Sequence, residues 1–378
     1  MMKIGVLGNG VTASAVREFL ASNDDYQESS IEAAEKIITS PGIPPKEWPK
    51  IAAPIISDID FAVQELKKQG FKGPIIGVTG TNGKTTVVSA IAHALNVTAF
   101  GNIGQPLINQ LSNISLTQPL VLELSSFQLV SSPTLTCDIS VLTNIEPDHL
   151  EWHETMESYE AAKLTLFKAG QQAFVPQSYC QHPAVQSVSV TAIESLPTAV
   201  LPQFIGQHNQ RNLATILGVL STVGMSLSDA KKALETYVLP AYRCERIYNH
   251  GGMQIINDSK ATNMSATQAA VASFDDEKLL ILAGQPKEPF NVGFFESIQS
   301  SCHTIYAAGA LSKQRLIFPD EWQSKIHFFD TLEAATDAAI AATTKGMILF
   351  SPAAASFDEF KNYMDRGRAF TEYVKKSL

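Results

Sequence analysis

The chain has 378 residues, 45% of them hydrophobic and 17% charged, with a formal net charge of −9 at pH 7. That length predicts two or three domains with substantial cores. The acidic balance argues against a nucleic-acid or membrane-surface binder, because phosphate-backbone contacts need a basic face, although local lysines can still hold a small anion.

Four widely spaced cysteines, Cys137, Cys180, Cys244 and Cys302, form no CxxC pair and read as free thiols of a reducing compartment. The apolar start of the chain breaks at Gly8-Asn9-Gly10, and no uninterrupted apolar run is long enough to span a bilayer. A cytoplasmic protein is expected.

Short apolar strands alternate with amphipathic helical stretches, which predicts an α/β fold of mostly parallel sheets in three blocks, 1–70, 71–239 and 240–378. The first opens with a strand over 3–7, a glycine turn and a helix over 12–20, and then turns irregular through the proline-rich stretch 40–54. Gly8-Asn9-Gly10-Val11-Thr12-Ala13 matches G-x-G-x-x-A after a strand. Such a turn could hold the diphosphate of NAD or of a nucleotide-sugar, or be only a tight turn. Asp24, Asp25 and Glu28 are the nearby acidic candidates for a ribose, none at the end of a clear second strand.

In the second block a strand over 75–78 runs into Gly77-Val78-Thr79-Gly80-Thr81-Asn82-Gly83-Lys84-Thr85-Thr86. Glycines that let the backbone approach, a helix N-terminus and a lysine are what a phosphate cradle requires. Lys84 would reach the β- and γ-phosphates and Thr85 would ligate Mg²⁺. Val78, however, stands where the common phosphate-loop pattern has glycine.

Glu123 closes the apolar strand 120–124, where a buried carboxylate calls for a cation. The strand 139–143 ends in Thr143-Asn144-Ile145-Glu146-Pro147-Asp148-His149, and His149 is either a metal ligand or a hydrogen-bonded loop histidine. Lys163, inside a helix over 158–168, reads from its position as a solvated helix lysine. Further helices are expected over 209–223 and 228–237.

The third block predicts strands over 254–257, 279–283, 304–307 and 347–350 and a closing helix over 358–375. Asn257-Asp258-Ser259-Lys260-Ala261-Thr262-Asn263 is a dense polar loop after a strand, in which Asp258 could accept ribose hydroxyls and Lys260 could meet phosphate or carboxylate. Tyr242-Arg243-Cys244-Glu245-Arg246 puts two arginines at the block junction. The run Ser351-Pro352-Ala353-Ala354-Ala355-Ser356-Phe357-Asp358 offers small residues before a helix, with Asp358 read as its N-cap.

Taken together these residues resemble the Mur ligase family over nearly the whole chain. The resemblance is carried by Gly80 to Thr85, Gly101-Asn102-Ile103-Gly104, Leu122 to Leu129, Asn144 to His149, Gly206-Gln207-His208-Asn209 with Asn212, Asn257 to Asn263, and Ser351 to Gly367. The missing glycine at Val78 is expected of that family. The runs 257–263 and 351–358 favour its D-glutamate-adding member over a folylpolyglutamate synthase-like one, and an NAD-linked or switch protein would rest on the N-terminal glycines alone.

The resemblance implies three domains: a Rossmann-like N-terminal one, a central ATPase-type one and a Rossmann-like C-terminal one. It implies an ADP-forming, ATP-dependent amide ligase of peptidoglycan precursor synthesis, acting as a monomer on UDP-N-acetylmuramoyl-L-alanine and D-glutamate. Two Mg²⁺ ions are implied, held by Thr85, Glu123, His149 and an N-carbamate on Lys163. Gly80, Thr81, Asn82, Gly83, Lys84, Thr85 and Thr86, with Asn209, Asn212, Arg243 and Asp258, would take ATP. Lys260, Thr262, Lys287, Ser356 and Phe357 would surround D-glutamate, Asn102 would hold the reacting end of the nucleotide substrate, and Val11 and Thr12 its diphosphate. The first block is short for the family, and its usual Asp-Thr-Arg uridine contact is not found; Glu28-Ser29-Ser30 is the candidate substitute.

Overall fold

The computed structural model describes residues 1–168, 170–287, 289–313, 322 and 324–378. Among them lie three β-sheets, one per block of the sequence. The first contains β1 (Met2–Leu7), β2 (Tyr26–Glu28), β3 (Lys36–Thr39) and β4 (Ile55–Ser57) in the order β2-β1-β3-β4, all parallel. Helix α1 (Val11–Ala21) follows the glycine turn and α2 (Asp58–Lys68) closes the block. Strands β2 to β4 are three or four residues long and sit among prolines and polar residues, so the sequence signals only β1 clearly.

The second sheet has β5 (Ile75–Thr79), β6 (Ala99–Gly101), β7 (Leu120–Glu123), β8 (Ile139–Leu142), β9 (Gln172–Val175) and β10 (Ser189–Ala192), again all parallel. Its order is β10-β9-β8-β5-β7-β6, so the chain leaves β5 toward one edge and later returns on the other side through β8. The strand order therefore reverses beside β5, where open α/β sheets form their ligand crevice. Helices α3 (Lys84–Leu95), α4 (Ser126–Val130), α5 (Leu150–His153), α6 (Met156–Leu164), α7 (Gln207–Thr222) and α8 (Leu227–Glu235) complete the block. Every residue of β5, β7 and β8 is buried, as expected for strands covered on both faces.

Hydrogen bonds cross residue 70. Asp60 of α2 accepts from the Thr134 backbone N–H at 2.9 Å, Lys67 donates to Thr136 at 2.8 Å, and the Ser57 and Ser132 hydroxyls are 2.6 Å apart. Accordingly Met1–Leu201 and Arg211–Tyr237 form one compact unit, and Pro202–Gln210 with Val238–Leu378 form a second.

The second unit is built on β11 (Glu245–His250), β12 (Met253–Asn257), β13 (Lys278–Ala283), β14 (Cys302–Ala308), β15 (Ile326–Phe329) and β16 (Gly346–Phe350), ordered β11-β12-β16-β13-β14-β15. Only the edge pair β11–β12 is antiparallel. Alternate residues of the central strands feed two cores. Ile256, Leu280, Leu282 and Leu349 pack with α9 (Met264–Ala272) and α10 (Val292–Ile298); Ile255, Ile281, Ile348 and Phe350 pack with α11 (Leu332–Ala342) and α12 (Tyr363–Ser377).

The closing helix starts at Tyr363 rather than 358, because Asn362 caps it by accepting from Asp365 N at 2.9 Å. Asp358 is thus not an N-cap; its carboxylate accepts from Ala310 N at 2.8 Å. Arg366 is fully buried and donates to Ala283 O, Ala354 O, Ser259 O and Ser259 Oγ at 2.8–3.1 Å, tying together the loops after β13, β16 and β12.

Candidate active site

β5 delivers its loop at the reversal of strand order. Gly80 has φ +142° and Gly83, the N-cap of α3, has φ +86°, conformations that L residues rarely adopt. A Cβ on Gly80 would collide with Thr143 Oγ1, and one on Gly83 would lie 2.7 Å from Asn212 Oδ1. The end of β8 fastens the loop: Asn82 N donates to Asn144 Oδ1 at 2.9 Å, Thr143 Oγ1 donates to Asn82 O at 2.6 Å, and Thr81 N donates to Asn144 O at 3.0 Å. Gly80→Ala is therefore expected to cost about 1–3 kcal/mol of stability, and to weaken nucleotide affinity at least tenfold by equilibrium titration.

Lys84 arches over this loop and donates to Gly80 O at 2.8 Å and Thr81 O at 2.9 Å. Thr85 is half-buried on the first turn of α3, and Thr86 is buried beneath it. Lys163 arrives at the same carbonyl, with Nζ 2.8 Å from Gly80 O and 4.4 Å from the centre of the Tyr159 ring. It is 1% exposed. The solvated helix position expected from the local pattern is thus wrong, because α6 packs this face against the phosphate loop. Burial, then the charge of Lys84, push the Lys163 ammonium well below the usual lysine range, against the opposing pull of Asp148.

Glu123 ends β7 beside β5, 2% exposed. Its Oε1 accepts from Asn102 Nδ2 at 3.0 Å, while Oε2 is buried with no hydrogen-bond partner. His149 sits at the N-terminus of α5 with φ +56°, its imidazole 3.6 Å from the Asp148 carboxylate and 3.5 Å from that of Glu151. Sequence reasoning missed an aromatic cluster here. Phe127 lies 4.8 Å from both His149 and Trp152 and stacks on His153, whose Nε2 is 2.8 Å from Ser126 Oγ. Burial lowers the His153 pKa to about 4, with Lys163 as the next cause. The aromatic spacing 127, 152, 153, 159 has no single helical period and gives no one-dimensional signal.

A second crevice of about 500 Å³ lies at the first sheet, lined by Asn9, Gly10, Val11, Ser14, Pro106 and Asn109 among others. Val11 is exposed and Thr12 half-buried, on the first turn of α1. Nothing lies within 4 Å of a Cβ built on Gly10, so no protein packing requires that glycine. Glu28 ends β2 and pairs with Arg17 at 2.9 Å, and Arg17 also donates to Gly8 O at 3.2 Å.

In the second unit Asp258 follows β12 and is buried. It accepts from Cys244 N at 3.1 Å and from Ser351 Oγ at 2.8 Å, so the two polar runs read from the sequence meet at one carboxylate. Burial raises its pKa to about 7, opposed by those hydrogen bonds. The folded state then holds a proton that the unfolded chain gives up from pH 3.8 onward. Stability of this unit is expected to be full below pH 3.8 as far as Asp258 is concerned, and to be lost progressively as pH rises through about 7. Urea midpoints should fall across that window in the native protein, and Asp258→Asn should flatten the fall.

Arg243 is half-buried with Nε lacking a partner, and beside it His208 is pushed down to about 4, by burial first and Arg243 second. Asn209 is buried and donates to Ile205 O at 3.0 Å. Lys260 lies 4.4 Å from the centre of the Tyr363 ring; Thr262 is half-buried, Ser356 buried, and Lys287 and Phe357 exposed.

Residues 78–178 match the family model "Mur ligase middle domain". The UDP-N-acetylmuramoylalanine–D-glutamate ligase of a Hydrogenobaculum strain is 32% identical over 90% of this chain and 88% of its own length. This chain belongs to the Mur ligase family. The enzyme of the same name from Francisella tularensis is 29% identical over 98% of this chain and 95% of its own. Two solved Mur ligases of Thermotoga maritima share the fold. MurF in complex with ADP superimposes with a TM-score of 0.64 over 99% of this chain and 94% of its own at 18% identity; MurC superimposes with 0.60 over 100% of both at 17%. The three-domain architecture expected from the resemblance is that of these Mur ligases, and the chain is an ATP-dependent amide ligase of peptidoglycan precursor synthesis.

The residues present suit Mg²⁺. Among the described residues no three His, Cys, Asp or Glu side chains cluster as a ready-made metal cage. Glu123 nevertheless offers a buried oxygen without a partner, and Thr85 lies on the first turn of the helix that follows the neighbouring strand β5. A hard cation bound mainly through nucleotide phosphates needs one or two such protein ligands. No helix among the described residues is long and apolar enough to cross a membrane.

Proposed function

We propose that the chain joins D-glutamate to UDP-N-acetylmuramoyl-L-alanine with release of ADP and phosphate, as a cytoplasmic monomer. The observation that carries the site assignment is the meeting of Lys84 and Lys163 on one carbonyl, Gly80 O. A carboxylate does not accept an amine at neutral pH, because oxide is too poor a leaving group. Transfer of the ATP γ-phosphoryl to that carboxylate gives an acyl phosphate, and the amine of D-glutamate then attacks and expels phosphate.

In this reading the loop 80–86 binds the ATP phosphates, and Lys84 swings from its loop carbonyls onto the phosphates to offset the repulsion between ATP and the substrate carboxylate. Thr85 and Glu123 hold one Mg²⁺, and His149 with a carbamate on Lys163 holds a second. When bound, the ions neutralise charge on the transferring phosphoryl group. The depressed pKa of Lys163 supports the carbamate, since only the neutral amine adds CO₂.

Asn102, fixed by Glu123, orients the substrate near its reacting carboxylate. Val11 and Thr12 take the diphosphate at the crevice of the first sheet. Asn209 and Asn212 are assigned to adenine, Asp258 to ribose and Arg243, whose Nε has no hydrogen-bond partner, to the γ-phosphate. Lys260, Thr262, Lys287, Ser356 and Phe357 surround D-glutamate.

The test is phosphate release from ATP with UDP-N-acetylmuramoyl-L-alanine and, in turn, D-glutamate, L-glutamate and other amino acids. Release that depends on D-glutamate is expected. Turnover only with L-glutamate and a folate would assign the chain to the folylpolyglutamate synthase-like activity instead.

A further inference from the structure

Helix α5 is only four residues long and is bracketed by two non-glycine residues in the left-handed region, His149 at φ +56° and Glu154 at φ +69°. Side chains disfavour that backbone, so neighbouring contacts must hold both ends. On one side Phe127 packs against His149, Trp152 and His153. On the other, Trp152 Nε1 donates to Gly42 O at 3.4 Å, and Glu154 Oε1 accepts from Lys46 Nζ at 3.0 Å.

Gly42 and Lys46 belong to the proline-rich segment after β3, whose first residue packs against the start of the glycine turn. Ser40 N donates to Leu7 O at 2.9 Å, and a Cβ on Gly8 would collide with Ser40 Oγ. Ser40 Oγ is itself buried without a hydrogen-bond partner. A single segment, 40–48, therefore touches both the glycine turn and the helix that carries His149.

The two links on α5 are individually weak. The indole bond is long, and the side chains of the Lys46–Glu154 pair are 56% and 66% exposed. Such contacts add little to global stability. They act on a four-residue helix whose two ends are already strained.

We propose that segment 40–48 couples occupancy of the nucleotide-sugar crevice to the placement of His149, with Trp152 and Glu154 as positioning residues. The inference rests on the reading above, in which the Gly8–Thr12 turn takes the UDP-sugar and His149 a metal ion.

Mn²⁺ binding to the full-length protein in the presence of ADP, followed by water-proton relaxation, reads the coupling without turnover. UDP-N-acetylmuramoyl-L-alanine should tighten Mn²⁺ binding roughly fivefold or more in the unaltered protein, and Mn²⁺ should tighten the nucleotide by the same factor. Trp152→Phe combined with Lys46→Ala keeps the ring stack and should bring that factor close to one with an unchanged melting temperature. Glu154→Gly, which relieves the left-handed backbone, should raise the melting temperature and still lower the factor.

A double variant that keeps the full factor, or an unaltered protein with a factor of one, would overturn the proposal. If the unaltered protein binds no UDP-N-acetylmuramoyl-L-alanine at all, the functional reading falls and this inference with it; normal binding without coupling removes this inference alone.

Discussion

Lys163→Met should lose about two to three orders of magnitude in kcat, the scale on which a group stabilising transition-state charge acts, while the melting temperature stays level or rises. The two halves of this result come from one fact. Lys163 is 1% exposed, with Lys84 on the same carbonyl, so its charged form is destabilised in the fold. A methionine of similar length fills the space over Tyr159 without that penalty. A residue kept at a cost to stability is one whose chemistry the site uses. If the lysine works as a carbamate, acid treatment that strips CO₂ should silence the native enzyme and bicarbonate should restore it partly. Kinetics beside a thermal melt check both halves, and a fully active Lys163→Met protein would remove the carbamate from the account.

Glu123→Gln is the second large effect expected, at about 10²-fold or more in turnover at limiting Mg²⁺ with little change in fold. The side chain is isosteric, and its Oε1 can still accept from Asn102. What changes is the buried Oε2, which has no partner in the protein and is the oxygen offered to the first Mg²⁺. An amide nitrogen there cannot ligate a hard cation. The apparent Mg²⁺ requirement should rise steeply, while Asn102 and the substrate-binding loops stay in place. A Mg²⁺ titration of phosphate release separates this outcome from misfolding, because a misfolded enzyme would not recover at high Mg²⁺.

Much of this site was legible in one dimension because its parts are contiguous. The strand–loop–helix from Ile75 to Leu95 announces itself through apolar residues, two glycines and Lys-Thr, and the structure realises it with positive φ at both glycines. Asp258 and Ser351 were readable as separate polar runs at strand ends, and their contact at 2.8 Å follows once β12 and β16 pair.

The rest depends on distances that no window contains. Lys163 looks like any helix lysine until α6 docks on the phosphate loop. Arg366 gives no hint in Met364-Asp365-Arg366-Gly367-Arg368 that one arginine is buried and the other exposed. The edge strands β2, β4 and β6 are three residues each, too short for a period of two to register, and pairing with their neighbours rather than propensity makes them strands. Asp358 failed as a helix cap because Asn362, four residues on, presents the better-placed acceptor.

The acyl-phosphate route is tested most directly by labelling the reacting carboxylate of UDP-N-acetylmuramoyl-L-alanine with ¹⁸O and following the phosphate released from ATP. The account predicts that each turnover with D-glutamate carries one ¹⁸O into inorganic phosphate, because the carboxylate oxygen becomes the bridge that leaves with the phosphoryl group. Phosphate that emerges unlabelled, with ATP consumed at the same rate whether or not D-glutamate is present, would contradict it.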